Sequence, residues 1–270
     1  MTGQTTSLSP TRAELSAELE EAILSGRLAV GEKLPSEREL AERHGVSRPV
    51  VREAMRGLAG RNLVEVVPGR GAYVRAARAT DAAAGMDALL RRHQATARDV
   101  VEARTMLECT AAESAATRAT SADLAAIERA LERFDRADGL IDQTRYDLAF
   151  HMAIVRASGN PVIATMFGAI TGLTIELMLR SLGDPGVTSI SVPYHRAIRD
   201  AICAREPERA RKAMADHLAV AARTYGADFD RNLESVARRE LARLFSPDTT
   251  LDDLLGAVPD GATDGGGRPT

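Results

Sequence analysis

Aromatic side chains are scarce in this sequence, at 3% with no tryptophan, and outside one short stretch nothing alternates apolar with polar residues as a half-buried strand does. Alanine, leucine, arginine and glutamate are abundant instead, and these are strong helix formers, so a mostly α-helical protein is expected. Two cysteines, Cys109 and Cys203, are too few for a disulfide framework. Both lie in helical patterns, and buried reduced thiols are expected. No run reaches the about eighteen apolar residues of a membrane span, and the start, MTGQTTSLSPT, lacks the basic segment and apolar run of a secretory signal. A cytoplasmic protein with no membrane partner is the expectation. No internal repeat is detectable. The length of 270 residues suits two domains, at about 100 to 200 residues each.

What the chain does have is concentrated between Leu34 and Val74, LPSERELAERHGVSRPVVREAMRGLAGRNLVEVVPGRGAYV. The apolar period changes from about 3.6 residues to 2 near Leu63, which reads as helix, tight turn, second helix and two-stranded hairpin. That is the outline of a winged helix-turn-helix. Ser36 with Glu39 three residues on forms a capping pair, Gly45 permits the sharp turn, and Ser47 is expected to cap the second helix with Pro49 in its first turn. Val51, Ala54, Met55 and Leu58 recur at helical spacing and form its inner face, while Arg48, Arg52 and Arg56 repeat on another. Beyond Asn62, a residue tolerant of left-handed backbone, Val64, Val66, Ala72 and Val74 flank the turn Pro68-Gly69-Arg70-Gly71, whose backbone can approach a phosphate closely. An amphipathic helix marked by Leu15, Leu19, Ala22 and Ile23 precedes this motif and ends near Gly26.

A row of guanidiniums beside an N-terminal hydroxyl suits a helix laid in the major groove of DNA, whereas most charged helical rows are simply solvated faces. Charge decides between them. From Lys33 to Arg75 there are nine basic and five acidic residues, a local balance of +4 in a chain of net −3. Positive charge gathered in one motif is the footprint of nucleic-acid binding. Residues 1–78 carry 12 basic and 10 acidic side chains and the remainder 23 and 28, so the second domain is not expected to bind DNA.

LPSERELAERHGVSRPVVREAMRGL followed by GRGAYV resembles the DNA-binding domain of the GntR family of bacterial transcriptional regulators, over about residues 10 to 76. The resemblance implies DNA contacts from Arg38, Ser47, Arg48, Pro49, Val50, Arg52 and the wing glycine Gly69; Arg70 joins them from its place at the hairpin tip. The sequence departs from the family at Val30, where proline commonly precedes Gly31, and at Asn62, where glycine is usual; both fall in turns.

The first ten residues are polar and expected to be disordered, and residues 11–76 form the winged helix-turn-helix. The small and charged residues of 77–87 are expected as a linker. Residues 88–245 then read as an all-helical bundle, with candidate helices at 82–94, 97–119, 121–137, 143–158, 161–182, 187–205, 207–229 and 233–245. Ser121 caps one start, and Gly159-Asn160-Pro161 and Gly183-Asp184-Pro185-Gly186 are breaks. Residues 246–270 are rich in Gly, Asp, Thr and Pro and are expected to form a flexible tail.

Three histidines fall at core positions of that bundle. His151 follows Asp147 by four residues on one helix face, His195 shares a face with Ile198 and Ile202, and His217 lies among Met214, Ala221 and Tyr225. A buried ring nitrogen without a partner costs about 1 to 3 kcal/mol, so each needs an ordinary hydrogen bond or a shared cation. One carboxylate and three imidazoles suit zinc, nickel, cobalt, iron or manganese.

EARTMLECTAAESAA (102–116), YDLAFHMAIVRASGNP (146–161), YHRAI (194–198) and ADHL (215–218) resemble the FCD ligand-binding domain of the FadR-type branch of GntR regulators. The resemblance implies a divalent metal, zinc first and nickel or manganese next, held by Asp147, His151, His195 and His217. It also implies that Arg104 helps hold a small carboxylate effector against the metal; an ion pair with Glu108, one turn along the same helix, is the other reading of that arginine.

Two functions follow. The first is a ligand-responsive regulator that binds a pseudo-palindromic operator in double-stranded DNA as a homodimer, because one recognition helix reads only a few bases. The second is a metal-dependent hydrolase or lyase using the same four ligands to activate water. Against it, no general base is evident: Glu176 is the only acidic residue in the helix after Pro161, and no spacing brings it to the histidines. A purely structural metal is a third reading. The regulator, not an enzyme, is the expectation.

Overall fold

The structure is a computed structural model that describes residues 11–236 and 239, so the expected disordered start, flexible tail and most of the last candidate helix lie outside the described residues. The chain divides into two compact units, residues 1–78 and 79–270.

In the first unit, α1 (Arg12–Leu24) and α2 (Glu37–His44) each start from a reciprocal capping box, Thr11 with Glu14 and Ser36 with Glu39. Such caps contribute on the order of 1 kcal/mol each. Gly45 ends α2 in the left-handed region at φ 65°, where its carbonyl path turns the chain at no Cβ cost, and α3 (Arg48–Gly60) begins directly after Ser47. Leu15, Leu19, Leu34, Leu40, Val51, Leu58, Val64 and Val74 close one core beneath the three helices. β1 (Val64–Val67) and β2 (Gly71–Val74) pair antiparallel in the register Val64 to Val74 and Val67 to Gly71, and Lys33 adds a single bridge to Tyr73. This hairpin is the wing.

The second unit is helical among the described residues: α4 (Ala83–Arg92), α5 (Ala97–Arg118), α6 (Ser121–Asp135), α7 (Leu140–Ala157), α8 (Pro161–Ala169), α9 (Thr171–Leu182), α10 (Pro185–Cys203) and α11 (Pro207–Thr224), with 3-10 turns at Ala79–Ala82 and Gly226–Asp228. Its main core sets the alanine face of α5, Ala112, Ala115 and Ala116, with Ala119 just after the helix, against Ile154 of α7, Ile198 and Ile202 of α10, and Met214 and Leu218 of α11. Small side chains on α5 let these helices come close enough to hold the site described below.

Four expectations need correcting. Residues 161–182 form two helices, bent by 64°, instead of one. The cause is a close approach: a Cβ on Gly168 would lie 2.1 Å from the Ala79 carbonyl oxygen and one on Gly172 would lie 2.6 Å from Asp87 Oδ1. The Thr171 hydroxyl donates to the Gly168 carbonyl at 2.8 Å where the helix turns. By the same packing, most of the expected linker at 77–87 is a 3-10 turn and the start of α4. Thr120, not Ser121, caps α6, with Asp123 completing its box. Cys109 is buried but Cys203, at the end of α10, is exposed. Among the described residues no single helix is long and apolar enough to cross a membrane.

Candidate nucleic-acid interface and metal centre

α3 buries Val51, Ala54, Met55 and Leu58, and this leaves Ser47, Arg48, Pro49 and Arg52 exposed along its first turns, with Val50 half-buried between them. Against expectation, Ser47 makes no capping hydrogen bond with its side chain. Arg38 stands exposed on α2, 3.6 Å from Glu42. Glu37, at the start of α2, reaches across to α3: Arg52 donates to both of its oxygens, and Arg48 Nη2 lies 3.9 Å away. The hydrogen bond from Arg52 holds the Glu37 carboxyl below its usual range. At the wing, Gly69 and Gly71 take φ of 71° and 109°, and the exposed Arg70 sits between them. Not every basic residue of the motif faces outward to a ligand: Arg61 is committed to Glu20 at 2.9 Å and to Ser16 at 3.3 Å on α1.

The second unit brings together the four residues singled out for a cation. Asp147 and His151 come from α7, His195 from α10 and His217 from α11, and all are buried. His151 Nε2 lies 3.2 Å from His217 Nε2 and 3.5 Å from Asp147 Oδ1, and His195 Nε2 lies 3.1 Å from the same oxygen. Metal–ligand bonds of about 2.0 to 2.2 Å put neighbouring donors about 3 to 3.6 Å apart, so the spacing fits donors that share one ion. In spite of their proximity, Asp147 Oδ1 and His195 Nε2 have no hydrogen-bond partner, nor does His217 Nδ1. Buried polar atoms without a partner are costly, and a cation shared by Asp147 Oδ1 and His195 Nε2 would satisfy both.

The electrostatics favour the ligating forms of Asp147 and His217, whereas at His151 Glu108 outweighs burial and raises the imidazole above its usual range. Burial would raise the Asp147 carboxyl, but His195 and His151 outweigh it and hold the group well below its usual range. Burial, with His195 and His151 beside it, holds His217 well below the usual imidazole range, in the neutral form that ligates.

Arg104 and Glu108 on α5 lie next to this cluster. Arg104 Nε donates to Glu108 Oε1 at 2.6 Å, and the other oxygen of Glu108 lies in hydrogen-bond contact with His151 Nδ1. A small cavity is lined by Arg104, Asp147 and His217 together with Val101, Met178 and Ser191. Arg104 thus satisfies the ion-pair reading while its Nη2 keeps no partner.

The family model described as "Bacterial regulatory proteins, gntR family" matches residues 11–74, and that of the FCD domain matches residues 99–220. The Glc operon transcriptional activator of Escherichia coli (strain K12) is 32% identical over 210 residues, covering 74% of this chain and 83% of its own. The chain belongs to the GntR family. Within it, the HTH-type transcriptional regulator LutR of Bacillus subtilis (strain 168) is 31% identical over 219 residues, covering 78% of this chain and all of its own. A solved GntR structure from Streptococcus agalactiae aligns with a TM-score of 0.64 at 30% identity, over 79% of this chain and 99% of that one. This GntR protein is therefore a transcriptional regulator of the FCD-bearing, FadR-type branch, and the hydrolase or lyase reading is set aside. Glu176, the acidic residue weighed for that reading, is paired with Arg91.

Sequence reasoning missed the role of Glu108 toward His151. It was visible only as the i+4 partner of Arg104. The signal available was that Arg104, Glu108, Ala111 and Ala115 fall on one otherwise apolar face of α5, where a carboxylate needs more than one partner.

Proposed function

We propose that this GntR regulator binds a pseudo-palindromic operator as a homodimer through residues 11–76, and that a small carboxylate bound in residues 88–245 modulates its DNA affinity. The reading assigns groove contacts to Arg48 and Arg52, phosphate or wing contacts to Arg38 and Gly69, and further DNA contacts to Ser47, Pro49, Val50 and Arg70. Exposed guanidiniums on the first turns of α3 and a left-handed glycine at the wing support those roles.

The effector site is read as Asp147, His151, His195 and His217 around a divalent cation, with Arg104 beside it. One observation carries this: three histidines offer ring nitrogens all within 4.8 Å of one another, beside a carboxylate oxygen and a guanidinium nitrogen that have no partners. Bound there, a divalent ion would supply a Lewis-acid position for a carboxylate oxygen. Arg104 Nη2 would donate a charge-assisted hydrogen bond to the same ligand's carboxylate. The cavity is walled by α5, α7, α9, α10 and α11, so a ligand that fits one arrangement of these helices better than another shifts the equilibrium between them.

A thermal-shift screen of the dialysed protein against small carboxylates, with and without a chelator, tests the reading. A shift by one class of acid that the chelator abolishes supports the metal-assisted site. Acids without effect on metal-loaded protein would remove Arg104 from its role and make the cation structural. Light scattering that finds a monomer at micromolar concentration, with no shift of DNA mobility, would remove the dimeric operator complex.

A further inference from the structure

Glu108 is completely buried on α5, and each of its oxygens is used. Oε1 accepts from Arg104 Nε at 2.6 Å and Oε2 accepts from His151 Nδ1. The first bond leaves Arg104, itself buried, with Nη2 unpartnered beside the cavity. The second sets a carboxylate against Nδ1, on the side of the ring away from the cluster, while Nε2 lies 3.5 Å from Asp147 Oδ1 and 3.2 Å from His217 Nε2. The i,i+4 spacing of Arg104 and Glu108 makes the arrangement a property of one helix.

We infer that Glu108 is a positioning residue that joins the two halves of the site, setting His151 as a metal ligand and aiming Arg104 at the ligand cavity. The inference rests on the metal-assisted reading given above and deepens it. Carboxylates that hold the second nitrogen of a ligating histidine orient the ring and raise its basicity, and their loss typically costs about 10 to 100-fold in metal affinity. Here the same carboxylate also fixes the guanidinium, so a single substitution disturbs both metal and anion binding. A residue that merely filled space would change stability and leave both affinities alone.

The test uses the full-length protein loaded with Zn2+ or Co2+. Competition against a chromophoric chelator is expected to show Glu108→Gln binding Zn2+ about 10 to 100-fold more weakly than wild type, with the exposed Glu102→Gln unchanged. The visible spectrum of the Co2+ form is expected to respond to acetate in wild type and to need several-fold more acetate in Glu108→Gln. Metal affinity and acetate response equal to wild type in Glu108→Gln would overturn the inference while leaving the metal site intact. Wild type that binds neither Zn2+ nor Co2+ would instead overturn the metal reading and this one with it. If the variant does not fold, the wild-type protein still decides: two-bond 1H–15N correlations are expected to show His151 as the Nδ1–H tautomer, and an Nε2–H signal would overturn the role.

Discussion

Glu37 grips Arg52 through both carboxylate oxygens, with Arg52 Nε 3.1 Å from Oε1 and Nη2 2.8 Å from Oε2. The pair ties the start of α2 to the outward face of α3. A long arginine loses rotamer freedom when it meets DNA, and a partner that already holds its fork reduces that loss. The pair also removes one positive charge from the face offered to phosphates. Exposed ion pairs contribute little to folding stability, so its consequence is expected in DNA reading.

Arg52→Ala is accordingly expected to weaken binding to a duplex selected by the wild-type protein by about 1 to 3 kcal/mol, the range for a base-reading arginine. Glu37→Gln should act differently. It frees net positive charge, so random-sequence DNA binds more tightly and its salt dependence steepens, while preference for the selected duplex falls. Fluorescence anisotropy on both duplexes at several salt concentrations measures each effect. An unchanged ratio of the two affinities in Glu37→Gln would sink the proposed part of Glu37.

Removing a cation from the histidine site should lower the melting temperature of the helical unit. A ligand that binds only the native state stabilises by RT ln(1 + [L]/Kd), about 2.7 kcal/mol at a hundredfold excess over Kd. Chelator treatment followed by calorimetry is expected to show the drop, and added Zn2+, Ni2+ or Mn2+ to restore it. His217→Ala should melt at one temperature with or without the ion. A variant that still gains stability from metal would place the ion elsewhere.

The DNA-binding motif was legible because its signals are local. Ser36 and Glu39, Gly45, Asn62 and the Gly69 turn each fix backbone within a few residues, and each appears as its chemistry requires. The metal-site candidates were legible too, since a histidine among Ile198 and Ile202 must be inside. What was hidden depends on contacts far apart in sequence. The break between α8 and α9 follows from Ala79 and Asp87 lying against Gly168 and Gly172, and no periodicity reports such an approach. Glu108 meets His151 across 43 residues for the same reason.

Those glycines give a direct test of the break. A methyl on Gly168 would sit 2.1 Å from the backbone oxygen of Ala79, which has no side-chain freedom with which to yield. Gly168→Ala is therefore expected to destabilise the helical unit by about 1 to 3 kcal/mol, as overpacking does. Gly85, exposed on α4 with nothing near its missing Cβ, should behave oppositely, and Gly85→Ala is expected to stabilise by about 0.5 to 1 kcal/mol. Urea unfolding followed by circular dichroism distinguishes them. Equal effects of the two substitutions would show that the close approach does not constrain the fold.

Glu176 supplies the pH dependence. It is buried on α9 and paired with Arg91, which also holds Asp87 through Nε at 2.7 Å. Burial lifts the Glu176 carboxyl above its usual range, and Arg91 only partly opposes it. Arg91 itself stays firmly charged, since Asp87 and Glu176 outweigh its own burial. A carboxyl whose folded pKa lies above its unfolded value binds its proton more tightly in the native state. Its contribution is complete below the unfolded value of about 4.3 and is lost as pH rises through the folded value. Gln at this position cannot titrate. The unfolding free energy of wild type minus that of Glu176→Gln is therefore expected to fall between pH 4 and pH 7, by no more than about 1.4 kcal/mol per pH unit. Urea titrations of both proteins across that range measure the difference. A difference that rises with pH would mean that Arg91 dominates the carboxylate and that the α4–α9 contact is an ordinary ion pair.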